Sequence, residues 1–465
     1  MSSGIATMGR EIVLGTAMRY NWVIIGGAIA HPDQGKRMDL SADTNQQTGI
    51  PDSSVILYPT NGYGDADFIR AMMKFEKPDA IMIFTDPRYF TWLFAIEHEI
   101  RKKIPLIYYN IWDDLPYPMY NKPFYESCDA LLAISKQTEN INRVVLGDKA
   151  KDKVIKYVPH GIDENMFFPI TEDKPEYLTL QEFKKQIFGD KQYDFVTLWN
   201  SRNIRRKSTP DILLAWKIFI DKLPEDKAKK CALILHTQPI DENGTDLYAV
   251  KEMLFDYNQS GKYNIIFSEQ KRTPQEMNFL YNLSDVCILI SSNEGWGLSL
   301  TEAMMCGKPI IAGVTGGMQD QMRFEDEEGN WIKFTEEFGS NHRGKYKDCG
   351  IWANPVFPSN ISLIGSVPTP YIFDDRVDPH DAAQQIAKVY NTKLLYPEQY
   401  NEICQAAREW VTSDESMMTA RWMCKNIIDG IDKTFEKWKP RNPYEIIKVE
   451  KQEHSKHYVK YPIAQ

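Results

Sequence analysis

The sequence predicts an α/β protein built from two doubly wound domains in tandem. Three observations carry that expectation. Short apolar or β-branched runs alternate with helical stretches up to residue 159, a turn-rich polar segment interrupts them, and the alternation then resumes. Such alternation implies parallel sheets with helices on both faces. A length of 465 residues suits two or three domains of roughly 100–200 residues each.

Taken in order, the first domain (1–170) offers strands at 21–29, 53–59, 79–85, 105–111, 130–135 and 154–159, with helices at 65–77 and 90–103. The chain opens on SSGIATMGREI, which already reads as a Gly-containing turn and helix. A shortened start, or a first sheet lacking one strand, is therefore expected. HGIDENMFFPITEDKPEY (160–177), polar and with two prolines, reads as a linker between domains. The second domain (178–412) restarts the pattern with strands at 195–200, 231–237, 263–268, 285–291 and 308–313. Residues 323–369, rich in Gly, Pro and Asn, read as a long functional insertion, with WANP (352–355) as a lid or acceptor-binding piece. Helices follow at 379–393, 396–411 and 415–436. Those around 415–440 are expected to pack back on the first domain, leaving a polar tail at 441–465. Ligands of doubly wound sheets bind beyond the carboxyl ends of the strands, so the cleft between the domains is the expected site.

Composition narrows the function. Apolar residues make up 43% of the chain and the formal net charge is -9, which argues against a general nucleic-acid binder with its basic footprint. Seven scattered cysteines, none in a C-x-x-C pair, read as reduced buried thiols and not as a zinc site. The longest apolar run, 22–30, falls short of the roughly 20 residues a membrane span needs. With no signal peptide at the start, a cytoplasmic protein is expected, peripheral membrane contact remaining open.

The chemistry concentrates in SSNEGWGLSLTEAMMCGKPII (291–311). A strand leads into the loop SNEGWG, and a helix follows that is closed by Gly307 and Pro309. The first turn of that helix is expected to offer free N–H groups at Gly297, Leu298 and Ser299 to an anion such as a diphosphate. Glu294 on the loop and Glu302 in the helix can both face the cleft, where ionised carboxylates accept from sugar hydroxyls. Alone, two glutamates read as solvated surface charges. Arg202 after one strand and Lys207 before a helix change the odds, because cations there can neutralise a diphosphate. Arg205 and Arg206 read as solvated. No D-x-D or His cluster suited to a metal stands near this cleft; the adjacent pairs at 113–114 and 374–375 are not that motif.

Together, VPHGIDENMFFP (158–169), the Arg202/Lys207 pair, SEQKRTPQEMNFLYNLSDV (268–286) and EGWGLSLTEAMMCGKPIIAGVTGG (294–317) resemble the family 4 retaining glycosyltransferases of GT-B architecture. The last segment carries that family's E-x7-E signature, and the likeness covers roughly residues 85–320 well. The resemblance implies a GT-B fold, two Rossmann-like domains facing each other across a cleft. It implies transfer of a hexose-type sugar from a UDP- or GDP-sugar to a hydroxyl acceptor, with retention and without a metal or other cofactor. Arg202 and Lys207 would hold the diphosphate and Glu302 the ribose. Glu294 would contact the donor sugar, with Gly295, Trp296, Gly297, Leu298 and Ser299 around it. Gln270, Lys271 and Arg272 would lie near the base, Gly4 near the diphosphate, and Gly316 and Gly317 near the sugar or acceptor.

One departure stands out. Where relatives carry His-Asp, this chain reads Trp112-Asp113. Asp113 would orient an acceptor hydroxyl and Trp112 would stack on a sugar, or else Trp112 is core and Asp113 a cap. His160 reads as a turn residue; His236 either approaches the nucleotide or is structural. The alternatives to a transferase are another GT-B enzyme, such as a sugar-nucleotide epimerase, and a catalytically silent GT-B partner subunit. The presence of Glu294, Glu302, Arg202 and Lys207 argues against the silent reading.

Overall fold

The computed structural model describes residues 4–27, 30–255, 262–339, 341 and 344–441. The end of the expected strand at 21–29 and nearly all of the expected polar tail at 441–465 lie outside the described residues.

Fifteen strands occur among the described residues. They are β1 (Trp22–Gly26), β2 (Met38–Asp39), β3 (Val55–Pro59), β4 (Ile81–Phe84), β5 (Leu106–Asn110), β6 (Ala130–Ala133), β7 (Val154–Tyr157), β8 (Phe195–Asn200), β9 (Cys231–His236), β10 (Ile265–Ser268), β11 (Val286–Leu289), β12 (Ile310–Gly313), β13 (Ala353–Val356), β14 (Pro358–Ser366) and β15 (Thr369–Val377). In the second domain six of them form one parallel sheet, ordered β10-β9-β8-β11-β12-β13. The central strands β8, β9, β11 and β12 are buried almost throughout, which is why they read as unbroken apolar runs and not as alternating ones.

The first domain holds two sheets. One is ordered β1-β3-β2, with β2 antiparallel. The other is the parallel set β4-β5-β6-β7. One apolar cluster underlies both, joining Val23, Ile25, Ile56 and Tyr58 to Ile83, Leu106, Tyr108 and Leu131. The sheets share no ladder hydrogen bonds. Accordingly β1 is half-exposed along its whole length, and β4 at three of its four residues, while β5 and β6 are fully buried.

Helix Gly4–Thr16 leads into β1 and packs against the long helix Ala420–Lys437. That helix also lies on β6 and β7, where Gly430 makes room for Leu132. The chain thus returns to the first domain at its far end. Two crossing segments run side by side: Ile162 N donates to the Met418 carbonyl oxygen at 3.0 Å, and Ala420 N to that of Ile162 at 2.9 Å.

Three local expectations are corrected. Residues 90–103 do not form one helix; Thr91–Ala95 and Glu97–Ile100 are separate turns, broken where Ile96 adopts φ -110°. Residues 323–369 are not one loop. Ala353–Pro355 of WANP belong to β13, the edge strand of the second domain's sheet, and form no lid; Asn354 Nδ2 donates to the Ile310 carbonyl oxygen at 3.1 Å and Trp352, just before the strand, stacks on Trp410. Beyond it, β14 and β15 pair as an antiparallel hairpin.

That hairpin lies within the second domain's stretch of sequence but packs on the first. Ile372 and Phe373 join the first domain's apolar cluster. Phe373 N donates to the Leu115 carbonyl oxygen at 2.6 Å, and the Tyr120 hydroxyl donates to that of Tyr371 at 2.9 Å. The preceding segment adds a bond from the Tyr117 hydroxyl to the Phe338 carbonyl oxygen at 2.8 Å. Together they strap the two domains. Phe373→Ala is expected to cost about 2 kcal/mol and to raise protease cleavage at 335–341 before global unfolding. Unchanged cleavage would show that the strap carries no weight.

Candidate functional site

The site lies where the carboxyl ends of β8, β11 and β12 face that of β5. After β8, residues Arg205–Lys207 form a short 3-10 turn, followed by Ser208 at φ 51°. This turn aims the Lys207 ammonium inward, onto the Glu294 carboxylate delivered by the loop after β11. Both side chains are buried, at 9% and 6% exposure. The same oxygen of Glu294, Oε2, accepts from Arg206 Nη1 at 3.2 Å and from Ser291 Oγ at 3.1 Å. Its Oε1 has no hydrogen-bond partner among the described residues. Burial alone would push the Glu294 carboxyl up, but Lys207 and Arg206 together hold it below the ordinary value. Burial and the neighbouring Arg206 draw Lys207 down to about 8.

The expected pairing of Arg202 with Lys207 at this point is not what the structure shows. Arg202 is 61% exposed and bonds Asp241 through two contacts, at 2.6 and 3.0 Å. Arg206, expected to be solvated, is the guanidinium at Glu294; it also donates to the Asn293 carbonyl oxygen at 2.6 Å. The signal for this was present in the sequence only as adjacency to Lys207, because a 3-10 turn places neighbouring residues on different sides.

From the first domain, Asp113 and Asp114 follow β5. Burial raises the Asp113 carboxyl to about 6, against the pull of Arg206. Burial and the Asp113 charge lift Asp114 well above its usual range. Asn293 Nδ2 ties Asp114 to the Phe373 carbonyl oxygen, so the loop after β11, the first domain and the hairpin meet at one amide. Asp375 in β15 accepts from Thr315 and Asn341 beside them. Trp112 is 5% exposed; its indole donates to the Asp114 carbonyl oxygen at 3.0 Å, Tyr120 meets it edge-on and the Arg88 guanidinium covers its face at 5.6 Å. Of the two readings open for Trp112, core is the one observed.

Gly295, Gly316 and Gly317 are the close-approach residues. A Cβ on Gly295 would stand 2.9 Å from the Ile111 carbonyl oxygen, and one on Gly316 3.4 Å from Asp113 Cβ. Gly316 (φ 50°) and Gly317 would also overlap the carbonyl oxygens of Glu294 and Gly295 respectively. These glycines let the two domains and the loop after β11 touch through backbone.

Helix Leu298–Met305 follows the loop. Its expected free N–H groups are partly used: Gly297 N donates to Gln321 Oε1 at 3.3 Å and Leu298 N to the Trp296 carbonyl oxygen at 3.0 Å. Trp296 is buried, its indole on Thr301 Oγ1 at 3.1 Å, and Ser299 is buried too. Gly4, at the start of the first helix, comes close to Leu298. Gln270 and Lys271 are exposed after β10, whereas Arg272 pairs with Glu276 and lies over Phe183. Burial raises the Glu302 carboxyl to about 7; the Tyr281 hydroxyl, donating at 2.5 Å, lowers it. His160 is buried with Nδ1 2.9 Å from the Tyr109 hydroxyl, and His236 lies 3.1 Å from Ser268 Oγ.

A carboxylate held by two cations at the strand ends, opposite a second carboxylate across a cleft between two Rossmann-like domains, defines the class: the fold is that of the GT-B glycosyltransferases. Solved structures agree with it. Anabaena Alr3699/HepE in complex with UDP and glucose superposes with a TM-score of 0.60 over 93% of this chain and 96% of that one, at 13% identity. Sucrose-phosphate synthase from Thermosynechococcus elongatus gives 0.61 over 94% of both chains, at 15% identity. Residues 243–338, including Glu294, Glu302, Gly316 and Gly317, match the family model described as glycosyl transferases group 1. Among curated proteins, the D-inositol 3-phosphate glycosyltransferase of Corynebacterium jeikeium (strain K411) is 24% identical over 194 residues, 41% of this chain and 42% of that protein. The chain thus aligns with about two-fifths of that relative's length.

Proposed function

We propose that the protein is a retaining glycosyltransferase that moves a hexose from a nucleoside-diphosphate sugar to a hydroxyl acceptor without a metal. The observation that carries this reading is the buried Glu294 carboxylate, held on one oxygen by Lys207 and Arg206 and open on the other. It stands within the segment that matches the group 1 glycosyl transferases.

In this reading Lys207 and Arg206 face the diphosphate and offset the charge that grows on it as the bond to the sugar C1 breaks. The acceptor oxygen attacks C1 from the same face, and its proton passes to the departing phosphate oxygen. Glu294 Oε1 and the loop 295–297 hold the sugar, and Asp113 receives the acceptor hydroxyl. Arg202 joins the diphosphate by exchanging Asp241 for a phosphate. That exchange is cheap, since an exposed ion pair is worth about 0–1 kcal/mol. Glu302 accepts from the ribose. The UDP and glucose named with the Anabaena structure support UDP-glucose as the first donor to try, with GDP-sugars next.

The test is a panel of nucleotide sugars read by thermal shift and by release of nucleoside diphosphate. A donor that binds the folded state raises the melting temperature. Glu302→Ala is expected to weaken UDP binding by about 10- to 100-fold, while Glu294→Ala lowers turnover more than nucleotide affinity. No shift and no release with any donor would overturn the proposal and leave a silent subunit as the reading.

A further inference from the structure

Glu302 differs from Glu294 in what compensates it. No cation pairs with Glu302 among the described residues, and its Oε1 accepts no hydrogen bond there. Its one protein partner is Tyr281, on helix Pro274–Leu283, which is wholly buried. The Tyr281 hydroxyl donates to Glu302 Oε2 at 2.5 Å and accepts from Asn200 Nδ2 at 2.8 Å. Phe167 packs edge-on against the ring at 6.0 Å, so the phenol cannot swing away. Asn200 is the last residue of β8, immediately before the loop that carries Arg202, Arg206 and Lys207. The chain Asn200–Tyr281–Glu302 therefore runs from the cationic loop to the helix carboxylate through a buried tyrosine flanked by two half-buried side chains.

We propose that Tyr281, itself held by Asn200, is the positioning residue that orients Glu302 and keeps it an acceptor for the two hydroxyls of the donor ribose. This rests on the reading of the site as a nucleotide-sugar site. A carboxylate buried without a counter-charge tends to hold its proton, and a protonated carboxyl offers a vicinal diol one acceptor where two are needed. The tyrosine supplies one strong charge-assisted bond on Oε2 and leaves Oε1 pointing free. The titratable groups facing Glu302 are Tyr281, Cys287 of β11 and Cys306 after its own helix. Burial pushes all three above their ordinary ranges, so none of them titrates near neutrality. Glu302 itself is brought by burial to about 7. UDP binding should accordingly strengthen as pH rises through that value.

The experiment compares wild type with Tyr281→Phe, measuring UDP affinity from pH 6 to 9 and KM and kcat with UDP-glucose, and repeating the affinity with 2′-deoxy-UDP. The phenylalanine variant is expected to bind UDP about 10-fold more weakly at pH 7, with kcat within a factor of about three. Its pH midpoint should move upward, so that affinity returns near pH 9. Loss of the 2′-hydroxyl and loss of the tyrosine hydroxyl should be less than additive, because both act on one carboxylate. Asn200→Ala should shift the midpoint in the same direction by less. If wild type binds neither UDP nor GDP, the nucleotide-sugar reading falls and this proposal with it. If wild type binds UDP but both variants keep its pH midpoint, or the deoxy effect is fully additive, only the role of Tyr281 falls.

Discussion

Lys207→Ala is expected to destabilise the protein by about 3–5 kcal/mol and to abolish detectable transfer. The reason is the burial of the pair. Lys207 and Glu294 are 9% and 6% exposed, and removing one partner of a buried pair strands the other charge without compensation. Arg206 remains near Glu294, but it is 42% exposed and contacts the shared oxygen at 3.2 Å, so it recovers only part of the loss. The catalytic loss has a separate origin, since the variant also lacks the cation nearest the developing charge of the leaving group. Replacing both residues by apolar ones of similar volume, Lys207→Met with Glu294→Leu, separates the two effects. Stability should return most of the way while transfer stays absent. Denaturant unfolding and diphosphate release measure the two quantities. A Lys207→Ala protein that unfolds at the wild-type denaturant concentration would show that the pair is not buried as described.

Gly317→Ala is expected to cost about 1–3 kcal/mol of stability and to lower kcat/KM by about 100-fold. Gly317 has φ -73°, a conformation open to alanine, so the backbone itself is not strained. The added Cβ would, however, overlap the Gly295 carbonyl oxygen and stand 3.0 Å from the Trp296 ring. The donor loop must then move, and a displacement of about 1 Å at reacting groups can cost about 10²-fold. Gly316→Ala is the contrasting variant. Its φ of 50° lies in the left-handed region and its Cβ would overlap the Glu294 carbonyl oxygen, so its stability should fall further than that of Gly317→Ala, and turnover with it. Equal stability losses in the two variants would show that the effect is general packing and not placement of the donor loop.

Much of this architecture was legible in the sequence because it is encoded locally. The runs that became β8, β9, β11 and β12 are apolar at nearly every position, and strands buried on both faces read that way. The order strand, Glu294 loop, helix and Gly307 stop follows from local turn and capping chemistry. Where the local signal was mixed, the reading erred. Residues 323–369 looked like a loop because β13 contains Asn354 and Pro355, poor strand formers that an edge position tolerates. The hairpin β14–β15 was missed because its half-exposed strands show neither a continuous apolar run nor clean alternation.

The sequence by itself determined the apolar runs that became the parallel strands and the placement of Glu294 and Glu302 eight residues apart on a loop and a helix; that the first domain's strands divide into two sheets was not legible in it. Periodicity and turn residues act over a few positions and need no distant partner. Only the tertiary structure decided which charges meet. It put Arg206 at Glu294 and sent Arg202 out to Asp241, buried Trp112 beneath Arg88 and beside Tyr120, gave Tyr281 to Glu302 and laid Phe373 against the first domain's core. These contacts join residues up to hundreds of positions apart. They are set by how loops leave the strand ends and by the need to pair every buried charge and polar group, constraints that no short window of sequence contains.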